Sequence, residues 1–137
     1  NLFYGTNTDY KALLKILNEI NINKAIIIGS GGTAEGMAYA LFKKNITFEI
    51  YSRNIKTRSE MAKKYQVNHY DLQNNYSADL IIKCVPKDVN FNYNGLILDI
   101  YDEKNILSKM FFTYLFEEDF KLWFSINKNY FKNYFNL

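Results

Sequence analysis

Two stretches of the chain hold residue types that can bind charge. The first is Gly29-Ser30-Gly31-Gly32-Thr33-Ala34, spaced G-x-G-x-x-A. Glycine at 29 permits a tight turn, glycine at 31 lets the backbone approach a pyrophosphate, and the small Ala34 lets a following helix pack close to a sheet. A helix starting here offers unpaired N–H groups and its positive dipole end to phosphate oxygens. The second stretch is Ser52-Arg53-Asn54, with Lys56 close behind. A guanidinium beside a hydroxyl and an amide suits a doubly charged phosphate, because it supplies charge-assisted and potentially bidentate hydrogen bonds.

These residues act only if regular elements present them. Lys24 to Gly29 (KAIIIG) is a short apolar run of β-branched residues ended by glycine, which reads as a central parallel strand buried on both faces. Thr33 to Lys44 follows as a helix with Met37, Ala38, Leu41 and Phe42 inward, and Ile46 to Ser52 (ITFEIYS) alternates as a strand does. The glycine run therefore lies between a buried strand and an amphipathic helix, the context in which a weak motif reads as a dinucleotide site. Ser52-Arg53-Asn54 falls at the tip of the next strand, where an NAD site places an acid for the ribose 2′-hydroxyl. Glu49 lies inside that strand rather than at its tip, so the pattern favours NADP over NAD. The plainer alternatives are a purely steric glycine turn and a solvated surface charge at Arg53.

The remaining elements complete an alternating pattern. A first helix over Tyr10 to Ile20 puts Ala12, Leu13, Ile16, Leu17 and Ile20 on one stripe, with Thr8 and Asp9 placed as cap residues. Another helix starts at Thr57, where Thr57 and Glu60 have capping-box spacing. Gln66 to Tyr70, Asp79 to Val85 and Gly95 to Tyr101 read as strands, followed by a helix from Asn105 to Phe124 and an aromatic tail. Strands alternating with helices need crossover connections, so the expected fold is α/β, a Rossmann-type doubly wound parallel sheet with helices on both faces.

Composition narrows the field. At 137 residues the chain has the size of one domain, and 48% hydrophobic against 23% charged residues is a globular balance. Cys84 is the sole cysteine and His69 the sole histidine, which excludes an internal disulfide and leaves no metal-ligand cluster. Cys84 reads as a small apolar strand residue and His69 as exposed beside a loop. No apolar run is long enough to cross a bilayer and no signal peptide is recognisable, so a cytoplasmic protein without a membrane partner is expected. The tail interleaves Lys and Asn with Tyr130, Phe131, Tyr134 and Phe135, a pattern that would suit base stacking; packing is the preferred reading, with no nucleic-acid partner. Glu117, Glu118 and Asp119 read as a solvated helix face.

In order and spacing, GTNTDYKALLKIL, AIIIGSGGTAEGMAYAL, IYSRN, RSEMAKKY, IIKCVP and LILDIY resemble the C-terminal, NADP-binding half of shikimate dehydrogenase, over about Gly5 to Tyr101. That family reduces 3-dehydroshikimate to shikimate with NADPH and carries an N-terminal substrate domain, which has no counterpart in this chain. The resemblance implies that Gly29, Ser30, Gly31, Gly32, Thr33 and Ala34 hold the pyrophosphate. It places Ser52, Arg53 and Asn54 at the 2′-phosphate, with Lys56 beside them, and Cys84, Val85 and Pro86 at the nicotinamide side; Tyr101 joins the cofactor set. It makes Asp9 the catalytic aspartate, paired with a lysine of the substrate domain, and Asn7 a substrate-orienting residue. Aligned on Phe120 and Trp123, Leu115 stands where the family has a substrate-contacting glutamine. The alternative reading is accordingly a degenerate or regulatory dinucleotide-binding domain without turnover.

Overall fold

The computed structural model describes the backbone of residues 2–135 and the side chains of residues 8–118, 121, 122 and 125–127. Its elements are α1 (Leu2–Leu17), β1 (Lys24–Ile28), α2 (Gly32–Lys43), β2 (Thr47–Tyr51), α3 (Ile55–Tyr65), β3 (His69–Tyr70), β4 (Asn75–Lys83), β5 (Asn92–Asp99) and α4 (Ile106–Phe135). The five strands form one sheet in the order β3-β2-β1-β4-β5, and every neighbouring pair is parallel. β1 lies at the centre because its apolar residues can be buried on both sides, and Ala25 to Ile28 are all buried.

The parallel sheet is as expected; the covering of its two faces differs. One face presents Ala25, Ile27, Phe48, Ile50, Leu80, Ile82 and Leu98, and the buried residues of all four helices join this cluster, including Leu13, Met37, Met61 and Phe111. The other face presents Ile26, Ile28, Tyr51 and Ile81, and among the described residues its core cluster contains no helix residue; Tyr76, Leu72, Val85 and Phe91 cover it instead. Connection length gives the reason. β1 to β2 and β2 to β3 cross over through α2 and α3, whereas residues 71–74 and 84–91 are the whole of the next two connections. Aromatic edges replace the missing helices: Tyr76 meets Tyr51 at 4.9 Å and Phe91 at 5.0 Å between ring centroids.

Several boundaries differ from the sequence expectation. α1 begins at Leu2, so Thr8 and Asp9 lie within the helix and do not cap it. Weak helix formers such as Gly5 and Asn7 lie within the same helix, whose later residues Ala12, Leu13, Ile16 and Leu17 pack into the core. α3 is capped by Asn54, whose Oδ1 accepts the Thr57 N–H at 3.1 Å, so Thr57 is inside the helix and not its cap. β4 starts at Asn75, four residues earlier than expected, through a register shift opposite Gly95. α4 continues to Phe135 and takes in the aromatic tail. The Tyr130, Phe131, Tyr134 and Phe135 side chains, like those of Asp119, Phe120 and Trp123, lie outside the described residues. No helix among the described residues is long and apolar enough to cross a membrane.

Candidate functional site

The carboxyl ends of β1, β2 and β4 meet at an open cleft of about 390 Å³. It is lined by Gly29, Ser30 and Gly31 after β1, by Ser52, Arg53, Asn54 and Thr57 after β2, and by Leu72, Cys84, Val85, Pro86 and Val89 from the connections into β4 and β5. The sequence thus brings its glycine run, basic turn and apolar segment to one place, because parallel strands present all their carboxyl ends on one edge.

Gly29 is required by the backbone. Its φ is +121°, and a Cβ there would lie 2.9 Å from the Cys84 carbonyl oxygen and 3.2 Å from its Cβ. The turn is anchored on both sides, since Gly29 N–H donates to the Tyr51 carbonyl and Cys84 N–H donates to the Ile28 carbonyl, each at 2.8 Å. Gly31 and Gly32 differ: a Cβ on either would meet nothing within 4 Å. Their bare backbone faces open space, and α2 starts there with no side-chain cap on its N-terminal N–H groups. That arrangement fits an anion such as a pyrophosphate, which needs close backbone approach and uncommitted donors.

Glu35, in the first turn of α2, would oppose an anion there, but it is engaged elsewhere. Lys64 Nζ contacts Glu35 Oε1 at 2.5 Å, and the Tyr65 hydroxyl donates to the same oxygen at 3.0 Å. Burial first, and then the neighbouring Glu35 charge, push the Tyr65 phenol well above its ordinary range, so it stays a donor.

At the basic turn, three hydroxyls join the two loops. Ser30 Oγ lies 2.7 Å from Ser52 Oγ and 2.6 Å from Thr57 Oγ1, while Asn54 N–H donates to Ser52 Oγ at 3.2 Å. Arg53 is exposed on the cleft rim. Thr57 was expected only as a helix cap; its spacing from Asn54 contained a signal, since a residue three past an asparagine N-cap points back toward the turn. Arg58 and His69 also went unassigned. Arg58 donates to the Ser52 carbonyl and to His69 Nδ1, so His69 is half-buried and engaged, not exposed beside a loop.

Other expected site residues are placed less centrally. Thr33 is half-buried on α2, and Ala34 is fully buried against the sheet, as close helix packing requires. Gly32 borders the adjoining hollow between α2 and α3. Lys56 is exposed in the first turn of α3 and does not line the cleft. Tyr101 lies apart, beside Phe112 and Phe116 in a separate hollow at the start of α4. The Asn7 side chain lies outside the described residues.

Asp9 is half-buried on α1 and does not line the cleft. The Cys84 thiol is pushed far above its ordinary range, first by burial and then by the Asp9 and Asp99 carboxylates. The same shift makes the thiol inert: it stays protonated and serves as apolar wall. Lys83, next in the chain, points to the opposite face and pairs with Asp99 at 3.5 Å. Among the described residues, no group of three or more metal-ligating side chains stands together.

A parallel sheet in this order, with a glycine turn at the carboxyl end of its central strand and a helix N-terminus above it, defines the Rossmann-like class. A shikimate dehydrogenase from Thermotoga maritima superposes with a TM-score of 0.62 over 95% of this chain and 62% of its own, at 19% identity, a likeness of fold. Residues 11–96 match the model of the shikimate/quinate 5-dehydrogenase family, and the chain belongs to that family. A shikimate dehydrogenase (NADP(+)) of Clostridium botulinum is 39% identical over 89 residues, covering 60% of this chain and 34% of that protein. A shikimate dehydrogenase-like protein of Haemophilus influenzae is 37% identical over 82 residues, covering 56% and 30% respectively. The chain thus spans about a third or less of the length of these curated relatives.

Proposed function

We propose that this chain is the NADP-binding domain of a shikimate dehydrogenase-like oxidoreductase, which reduces 3-dehydroshikimate to shikimate. The observation that carries the reading is the convergence of two anion-compatible features on one cleft: the bare glycine turn under α2 and the Ser52-Arg53-Asn54 turn at the tip of β2. The family membership and the NADP(+) in the name of the Clostridium relative support it.

In this reading, the backbone from Gly29 through Ala34 holds the pyrophosphate. Ser52, Arg53 and Asn54 hold the 2′-phosphate, and Lys56 adds positive charge nearby. Cys84, Val85 and Pro86 offer an apolar wall to the nicotinamide ring. NADPH, when bound, supplies the hydride to the substrate carbonyl carbon. Asp9, with a lysine supplied from outside this chain, orients the substrate hydroxyls and holds the proton that the carbonyl oxygen takes up. Asn7 would help to orient the same substrate.

The alternative is a dinucleotide-binding domain without turnover. Leu115 favours it, because this residue packs against the core cluster and offers a polar substrate no hydrogen bond. Titrating the chain with NADPH and NADH tests the cofactor reading: NADPH is expected to bind more tightly, and binding of neither would sink it. Supplying the substrate domain and measuring shikimate oxidation separates the enzyme from the silent domain.

A further inference from the structure

The Ser52-Arg53-Asn54 turn is gripped from beneath by a side chain outside the motif. Arg58 sits on α3 with its side chain only 11% exposed. One terminal nitrogen, Nη1, donates to the Ser52 carbonyl at 2.7 Å and lies 4.0 Å from Asp71 Oδ1. Its Nε donates to Nδ1 of His69 at 3.1 Å. His69 is itself fixed in register, opposite Ile50, as the first of only two residues in β3. On the near side, the Ser52 N–H donates to the Tyr70 carbonyl at 3.0 Å. Both peptide planes flanking Ser52 are therefore held, one by the backbone of β3 and the other by Arg58.

This geometry separates two arginines by role. Arg53 is exposed on the rim and can turn toward a ligand, whereas Arg58 is largely buried and committed to a carbonyl and an imidazole. The planar guanidinium suits this task, since its Nε and Nη1 donors leave in fixed directions and reach two acceptors at once. Ser52 Oγ, Asn54 N–H and the direction of Arg53 all follow from the plane that Arg58 holds.

We infer that Arg58, oriented by His69, is a positioning residue that sets selectivity for the 2′-phosphate. This rests on the function proposed above. The test compares the full chain binding 2′,5′-ADP with the same chain binding 5′-AMP, probes that differ by the 2′-phosphate alone. Arg58→Met should weaken 2′,5′-ADP about tenfold while 5′-AMP changes by about twofold or less, the scale of one hydrogen bond to a charged group. His69→Phe should weaken 2′,5′-ADP by about threefold, and His69→Gln, which keeps an acceptor, should restore most of it. Arg58→Lys should recover only part of the selectivity.

Equal losses for both probes, or an unchanged ratio in a folded Arg58→Met, would overturn the inference while leaving the cofactor reading intact. If Arg58→Met does not fold, the His69 pair decides by the same ratio. A wild-type chain that binds both probes equally would overturn the proposed function, and this inference with it.

Discussion

The first half of the sheet, β1 through β3, is joined by helices; the second half, β4 and β5, is joined by segments of a few residues without helix. Each half builds a different wall of the same cleft. The helical half contributes uncapped N–H groups, three linked hydroxyls and Arg53, everything that handles negative charge. The irregular half contributes Leu72, Val85, Pro86 and Val89, together with a thiol kept neutral. A crossover helix presents its positive end at the carboxyl edge of a parallel sheet, whereas the connections into β4 and β5 bring no helix N-terminus there. A ligand with phosphates at one end and a flat ring at the other matches that division.

The comparison can be broken at its seams. The largest effect is expected at Gly95, where β5 passes the β4 bulge with φ +134° and a Cβ would come within 1.9 Å of the Ala78 carbonyl oxygen. Gly95→Ala should cost more than about 3 kcal/mol in a denaturant titration, because backbone opposes it and no side chain can yield. Gly29→Ala is strained too, but its contact is 2.9 Å, so a smaller loss of stability is expected together with loss of NADPH binding. If Gly95→Ala were the milder of the two, the seam between β4 and β5 would be softer than its geometry implies.

Next is the charged wall. Arg53→Ala should weaken NADPH by about tenfold or more and NADH little, as removal of one charge-assisted contact predicts. Equal losses in a fluorescence titration would remove Arg53 from the 2′-phosphate.

The aromatic face gives a smaller, alkaline effect. Burial first, then Glu49, pushes the Tyr51 phenol up to about 12. A raised folded value means that the protonated phenol stabilises the fold fully below its ordinary range near 10, and that this stability is lost as pH rises from about 10 through 12. Tyr51→Phe should flatten that alkaline loss in thermal melts, and an unchanged profile would show that the second face does not govern it.

The smallest effect belongs to the contact of α1 with α4. Lys15 Nζ lies 2.8 Å from Glu118 Oε1, and its hydrogen bond holds the Glu118 carboxyl below the usual range. A depressed carboxyl contributes above its unfolded value and loses that contribution as pH falls through the folded one, below about 4. Glu118→Gln should therefore cost about 0.5 kcal/mol or less at neutral pH and nothing in acid.

The helical half was legible in the sequence because each element advertised itself: KAIIIG by its β-branched run, the glycine turn by its spacing, SRN by its position at a strand tip. The irregular half was not, and the cause is physical. Asn75 to Ala78 contains nothing that alternates cleanly, and these residues join β4 only because the chain bulges against Gly95. The start of α1 was misplaced for a related reason: Thr8 and Asp9 are good caps in isolation, but they lie within a helix whose later residues pack into the core. Arg58 and His69 stayed hidden because their partnership spans eleven residues and a strand pairing that no local pattern encodes.

The three hydroxyls of Ser30, Ser52 and Thr57 share two contacts, and each oxygen carries a single proton that it can direct. More than one assignment of those protons satisfies both contacts, so the cluster has a small degeneracy in its hydrogens although its oxygens are fixed. Switching between assignments needs only rotation about C–O bonds, on a timescale of picoseconds to nanoseconds. An arriving anion would thus meet a wall that is rigid in its heavy atoms and compliant in its protons, able to redirect donors without any movement of the backbone.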